Sequence, residues 1–188
     1  MKSSRAQIIS TAGVVFLSTL SLFADPVAGQ HSSLSFVDVD GNTISTADGH
    51  VTTVVVTTQA GIDKTRAVGD RIPDFCLANP TYRMITVVVF EKDHSKPTRA
   101  ILSSLIRHRL DSEGHRLQSR YDKLKIAQNA RRDVSAVADF GGAIAKQLDL
   151  KLDAGLFHVF VFGKKGELVK QWEDVPAADE LSAALMQN

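Results

Sequence analysis

Hydrophobic and polar positions alternate along this chain in two rhythms, one of period two and one of helical spacing. Val51-Thr52-Thr53-Val54-Val55-Val56-Thr57-Thr58 is an almost unbroken β-branched run, as expected of a strand buried on both faces. Met84-Ile85-Thr86-Val87-Val88-Val89-Phe90 predicts a second such strand. Ahead of them, Leu34–Val39 and the stretch after Asp40-Gly41-Asn42 read as a hairpin turning at the Asp-Gly pair. A short helix is predicted over Ile62–Val68, stopped by Gly69. A long one starts at Lys96-Pro97 and carries Leu102, Leu105, Ile106, Leu110, Leu117, Tyr121 and Leu124 near helical spacing. Gly114 is expected to break or bend it. Val134–Ala138 reads as a strand and Gly142–Leu148 as a helix. Two alternating strands around Gly163–Gly166 and a helix over Ala177–Met186 close the chain. Strands alternating with helices, ended by a β-β-α unit, imply an α/β sandwich with a mixed central sheet and helices on both faces.

The start of the chain follows neither rhythm. Lys2 and Arg5 precede an apolar core from Ile8 to Ala24, and Val27-Ala28-Gly29 leads into polar Gln30-His31-Ser32-Ser33. This anatomy predicts a secretory signal peptide over residues 1–29, cut after Gly29 or Ala24, with Gly29 favoured, and a single domain over 30–188. An uncleaved anchor is the weaker alternative, because Ser and Thr interrupt a run already short for a span. The expected destination is outside the cytoplasm, with a bacterial periplasm fitting best.

Composition narrows the function classes. The 188 residues carry a net charge of +1, with 23% charged and 44% hydrophobic positions, which suits a soluble domain with its own core rather than a general nucleic-acid binder. Aromatic residues make up only 6%, too few for a stacking platform on single strands. Export permits disulfides, but Cys76 is the only cysteine, so no intrachain bridge forms. Asp38, Asp40, Asn42 and Asp48 invite comparison with a calcium loop, yet their spacing departs from that motif and no Glu closes it, which favours a plain turn. His94, His108, His115 and His158 lack metal-ligand spacing, no nucleophile elbow or phosphate loop is present, and no metal or cofactor is expected. Basic residues gather between Arg99 and Arg132; a solvated helix face explains them, with docking on an acidic partner or anionic surface as the sharper alternative.

From about Leu34 to Met186 the chain resembles exported thioredoxin-like proteins of the redoxin, thiol–disulfide reductase type. Three features carry the resemblance: the hairpin at Asp40-Gly41 leading through Gly49 into the first core strand, Ala136–Asp139 followed by the helix Ala143–Leu148, and the closing unit Gly155–Trp172. It implies a thioredoxin-like three-layer sandwich. It also implies a C-x-x-C motif after the first core strand and a cis-proline opposite. Counting from Gly49 places the two cysteines at Gly61 and Lys64, and the proline at Phe157 with His158 after it. No cysteine stands between Val51 and Ile72, so dithiol exchange has neither attacking thiolate nor resolving partner. Without proline, the bond before Phe157 is expected to be trans.

Two functions are consistent with this. In the first, a non-enzymatic binding or scaffold protein holds a protein or extended peptide in the groove lined by Gln59, Gly61, Lys64, Phe157 and His158. In the second, the lone Cys76 acts as a reactive thiol in a redox protein or oxidant sensor. A buried, inert cysteine is the plainer reading of Cys76, which lies between apolar neighbours.

Overall fold

The computed structural model describes residues 33–187, so the expected signal peptide lies outside the described residues. A small hairpin of β1 (Ser35–Val37) and β2 (Thr43–Ser45) opens them. β3 (Val51–Thr57), α1 (Ile62–Arg71), β4 (Tyr82–Phe90), α2 (Lys96–Leu124), β5 (Ser135–Phe140) and α3 (Ala143–Gln147) follow. β6 (Phe157–Phe162), β7 (Leu168–Trp172) and α4 (Ala178–Met186) complete the chain. The main sheet has the order β5-β4-β3-β6-β7. β3, β4 and β5 are parallel, while β6 and β7 run antiparallel to their neighbours.

β3 is central, and all of its residues are buried, which is why its sequence shows no polar alternation. β3 connects outward to β4 and β4 outward to β5. Right-handed crossovers in one direction place α1 and α2 on the same face of the sheet. Val68 of α1 and Leu181 and Leu185 of α4 pack there on Val51, Val55, Val159 and Val161. Ile106 and Leu110 of α2 cover Val88, Phe90 and Ala136 farther along that face. The opposite face, with Val54, Val56, Ile85, Val87, Phe160 and Phe162, is covered by the β1–β2 hairpin and by Ile144, Ala145 and Leu148 of the α3 region. The mixed sheet between two layers matches the architecture expected from the sequence.

Several boundaries differ from the sequence expectation. α1 runs past Gly69 to Arg71, and β4 begins two residues earlier than Met84, at Tyr82. α2 is one continuous helix through Gly114. Gly114 is buried where α2 meets the 3-10 turn Ala130–Asp133, and a β-carbon there would lie 3.1 Å from Arg131 Cα. The residue permits a close approach rather than ending the helix. Asp38 explains the acidic opening turn: its Oδ1 accepts from the Asp40 and Asn42 amides at 3.0 and 2.7 Å. Asp40 pairs instead with Arg107 and Arg131, and Asp48 with Arg83 and His50.

Candidate functional site

The antiparallel pairing of β3 with β6 brings Thr57 opposite Phe157, so the end of one strand and the start of the other lie side by side. Beyond Thr57 the chain makes a 3-10 turn, Gln59–Gly61, and enters α1. Here the sequence places the expected groove. The Thr58 amide donates to the Leu156 carbonyl at 3.3 Å, and Thr58 Oγ1 donates to the Ala154 carbonyl at 3.0 Å. The Leu156 amide donates to the Asp153 carbonyl at 3.1 Å. The backbone groups flanking Phe157 on this side are thus already bonded within the chain. The described residues contain no cis peptide bond, so the bond before Phe157 is trans, as expected.

Gly61 decides what chemistry the site can support. A β-carbon built on it would lie 2.1 Å from Thr57 Oγ1 and 3.2 Å from Phe157 Cδ2. Its backbone, at φ −93° and ψ 11°, would accept a side chain, so the obstruction is steric and local. The space for a sulfur at this position is filled by a threonine hydroxyl and an aromatic edge. Thr57 is fully buried and donates to the Thr58 carbonyl at 3.1 Å. Phe157 is 4% exposed. The Lys64 ammonium lies 5.3 Å from the Phe157 ring centroid and 3.0 Å from Asp174 Oδ1. That lysine flanks Phe157 with a cation over the ring face.

The expected groove residues divide into separate places. Gly61, Lys64 and Phe157 come together. Gln59 is exposed on the turn beside them. The His158 side chain points to the other face of the sheet, where it is half-buried and stacks on Phe160 at 6.0 Å between centroids. Burial pushes the His158 pKa below the ordinary imidazole value, against the opposing pull of Glu173 and Asp153. Thr58, at the start of the expected groove loop, and Thr57 before it organise the site through bonds that the sequence does not show; a threonine pair ending a core strand directly before a turn is the available signal.

Cys76 ends a 3-10 turn, Asp74–Cys76, and is 7% exposed among Val51, Val55 and Val68. Burial pushes its thiol up to about 12, against the opposing pull of Arg120. Thiolate, the nucleophilic form, is scarce there at neutral pH. The basic stretch Arg99–Arg132 is partly neutralised within the chain: Arg99 pairs with Asp93, Arg107 with Asp40, Arg116 with Asp70 and Glu113, Arg120 with Asp74, and Arg131 with Asp40 and Asp111.

Solved structures with a thioredoxin fold superpose on this chain. The chain carries the thioredoxin fold. The pneumococcal exposed lipoprotein thioredoxin Etrx1 from Streptococcus pneumoniae superposes with a TM-score of 0.51 at 13% identity, over 83% of this chain and 99% of that one. A DsbF homologue from Corynebacterium diphtheriae gives 0.50 at 11% identity, over 93% and 100%. No protein-family model matches, and no curated protein matches. This chain shares its framework with those proteins, while its single cysteine, Cys76, lies outside the turn at which the paired thiols are expected. Among its described residues, no helix is long and apolar enough to cross a membrane.

Proposed function

We propose that this protein is a redox-inactive, exported binding protein built on the framework of a thiol–disulfide oxidoreductase, and that its partner is a protein or extended peptide. One observation carries the reading. Gly61 is walled by Thr57 and Phe157, so the position expected to hold the attacking thiol has no room for one. Export rests on the basic, apolar and small-residue sequence at the N-terminus, which has the anatomy of a signal peptide. The partner surface is the exposed turn Gln59–Ala60, extended by exposed Asp153–Gly155 across the β3–β6 junction. Contact there runs through side chains, because Leu156 already uses its amide and carbonyl internally.

The alternative, a thiol-dependent protein built on Cys76, is disfavoured by that residue's burial and raised pKa. A photoreactive amino acid at Gln59 tests the binding reading in intact cells. It should give a discrete crosslinked species that the same group at Lys165, exposed on the β6–β7 turn, does not give. Identical labelling from both positions, or none from either, would remove the proposed surface.

A further inference from the structure

α2 packs on the sheet through Ile106 and Leu110 and closes on the turn Ala130–Asp133 at Gly114. Between α2, α1 and the sheet lies a cavity of about 1090 Å³. That is at the upper end of the range for small-molecule sites, about 300–1,000 Å³. Part of its wall is apolar, formed by Met84, Val88, Ile106, Leu110 and Leu117. Thr53 forms part of the floor. Its side-chain oxygen is buried on the central strand and has no hydrogen-bond partner among the described residues. A buried hydroxyl without a partner is costly and calls for one.

Charge at the cavity is also unbalanced. Six arginines and four acids line it. Arg66–Glu113 and Arg116–Asp70 tie α1 to α2 across the gap, Arg116 also pairs with Glu113 within α2, and Arg83 and Arg120 pair with Asp48 and Asp74. Arg109, exposed on α2, and Arg132 line the cavity with no acidic ion-pair partner among the described residues, and of the two Arg109 stands on the helix beside Leu110.

We propose that this cavity binds an oxygenated, fatty-acid-like amphiphile. Its carboxylate meets Arg109, its chain lies against Val88, Leu110 and Leu117, and an oxygen on the chain pairs with Thr53. The three parts correspond to the cavity's three chemistries: an unpaired cation at the exposed side, an apolar wall, and one orphaned hydroxyl on the floor. No bond is made or broken. The cavity reaches Gln59 at the edge of the Gly61–Phe157 junction, but Gly61, Lys64 and Phe157 do not line it, and this inference does not depend on the protein-binding reading there.

The test compares 12-hydroxystearate with stearate by calorimetric titration of the protein lacking the signal segment, with its thermal midpoint as second readout. The hydroxy acid should bind about fivefold tighter, the worth of one neutral hydrogen bond. Thr53→Val, which keeps shape and burial, should erase that difference and leave stearate unchanged. Arg109→Gln should weaken both acids by a similar factor, and Leu117→Trp should abolish binding by filling the space. Binding should also raise the thermal midpoint in proportion to the logarithm of ligand excess. Failure of both acids to bind the folded protein would overturn the proposal. So would binding that Leu117→Trp leaves intact, or a hydroxyl preference that survives Thr53→Val. Crosslinking from Gln59 is read on protein without added acid, so failures of the two readings are distinguishable.

Discussion

Replacing Gly61 with alanine puts the steric reading of the site to a test of sign. At φ −93° and ψ 11° alanine is an allowed residue. Where the native conformation is compatible, Gly→Ala stabilises by about 0.4–1 kcal/mol by narrowing the unfolded ensemble. Opposing this, the new methyl would sit 2.1 Å from Thr57 Oγ1, with Phe157 Cδ2 at 3.2 Å behind it. Ordinary non-bonded separations are about 3.5–4.0 Å, and overpacking a tight site costs about 1–3 kcal/mol. Thr57 cannot easily rotate away, because it is fully buried and bonded to the Thr58 carbonyl. The expected net effect is destabilisation of about 1–2 kcal/mol, measured as a lower urea midpoint at unchanged slope. Gly61 is also the N-cap of α1, where alanine is poorer than glycine, so one variant cannot isolate the clash. A double-mutant cycle with Thr57→Ala does, since removing the hydroxyl should recover about 1 kcal/mol of the Gly61→Ala loss. A neutral or stabilising Gly61→Ala, or strict additivity with Thr57→Ala, would refute the claim that this space is filled.

Three further outcomes follow from the structure. Asp139→Ala should destabilise the domain by about 2–4 kcal/mol in chemical unfolding, because its buried carboxylate accepts from the Ala143, Ile144 and Ala145 amides at 2.8, 2.9 and 3.2 Å. Cys76 should resist alkylation in the native protein and react at the unfolded rate once urea passes the midpoint; rapid native labelling at neutral pH would show an accessible thiolate. The folded-state pKa of His158 is depressed, so the unfolded chain binds the proton more readily. Stability should therefore fall as pH drops from the ordinary imidazole value toward the lower folded value, and His158→Phe should flatten that part of the pH–stability curve.

Much of the fold was legible in the sequence because its core strands are chemically extreme. The valine–threonine run of β3 and the Met84–Phe90 run of β4 have few other structural homes, and the order of elements then restricts the topology. The glycines misled for a common reason. Gly69 and Gly114 look like helix stops by propensity, but the structure keeps both helical, and Gly114 is needed where α2 closes on Arg131. The basic stretch of α2 reads as free charge because its acidic partners are far away in sequence, at Asp40, Asp70 and Asp74. Asp139 was missed as a cap, although an acid shortly before Gly141-Gly142 and a short apolar helix was a usable signal. At the site, the lack of cysteine at Gly61 and Lys64 was plain from counting. That Thr57 and Phe157 fill the space was not, since it depends on the β3–β6 register. The cavity beneath α2 has no sequence signature at all, because it arises from how far the helix stands off the sheet.

Reduction of insulin by dithiothreitol, followed as turbidity with and without the protein, tests the central claim most directly. The account predicts no acceleration over the reductant alone, and an identical trace for Cys76→Ala. Acceleration that disappears in Cys76→Ala would contradict it, by showing that a single buried thiol sustains the chemistry for which the Gly61 position has no space.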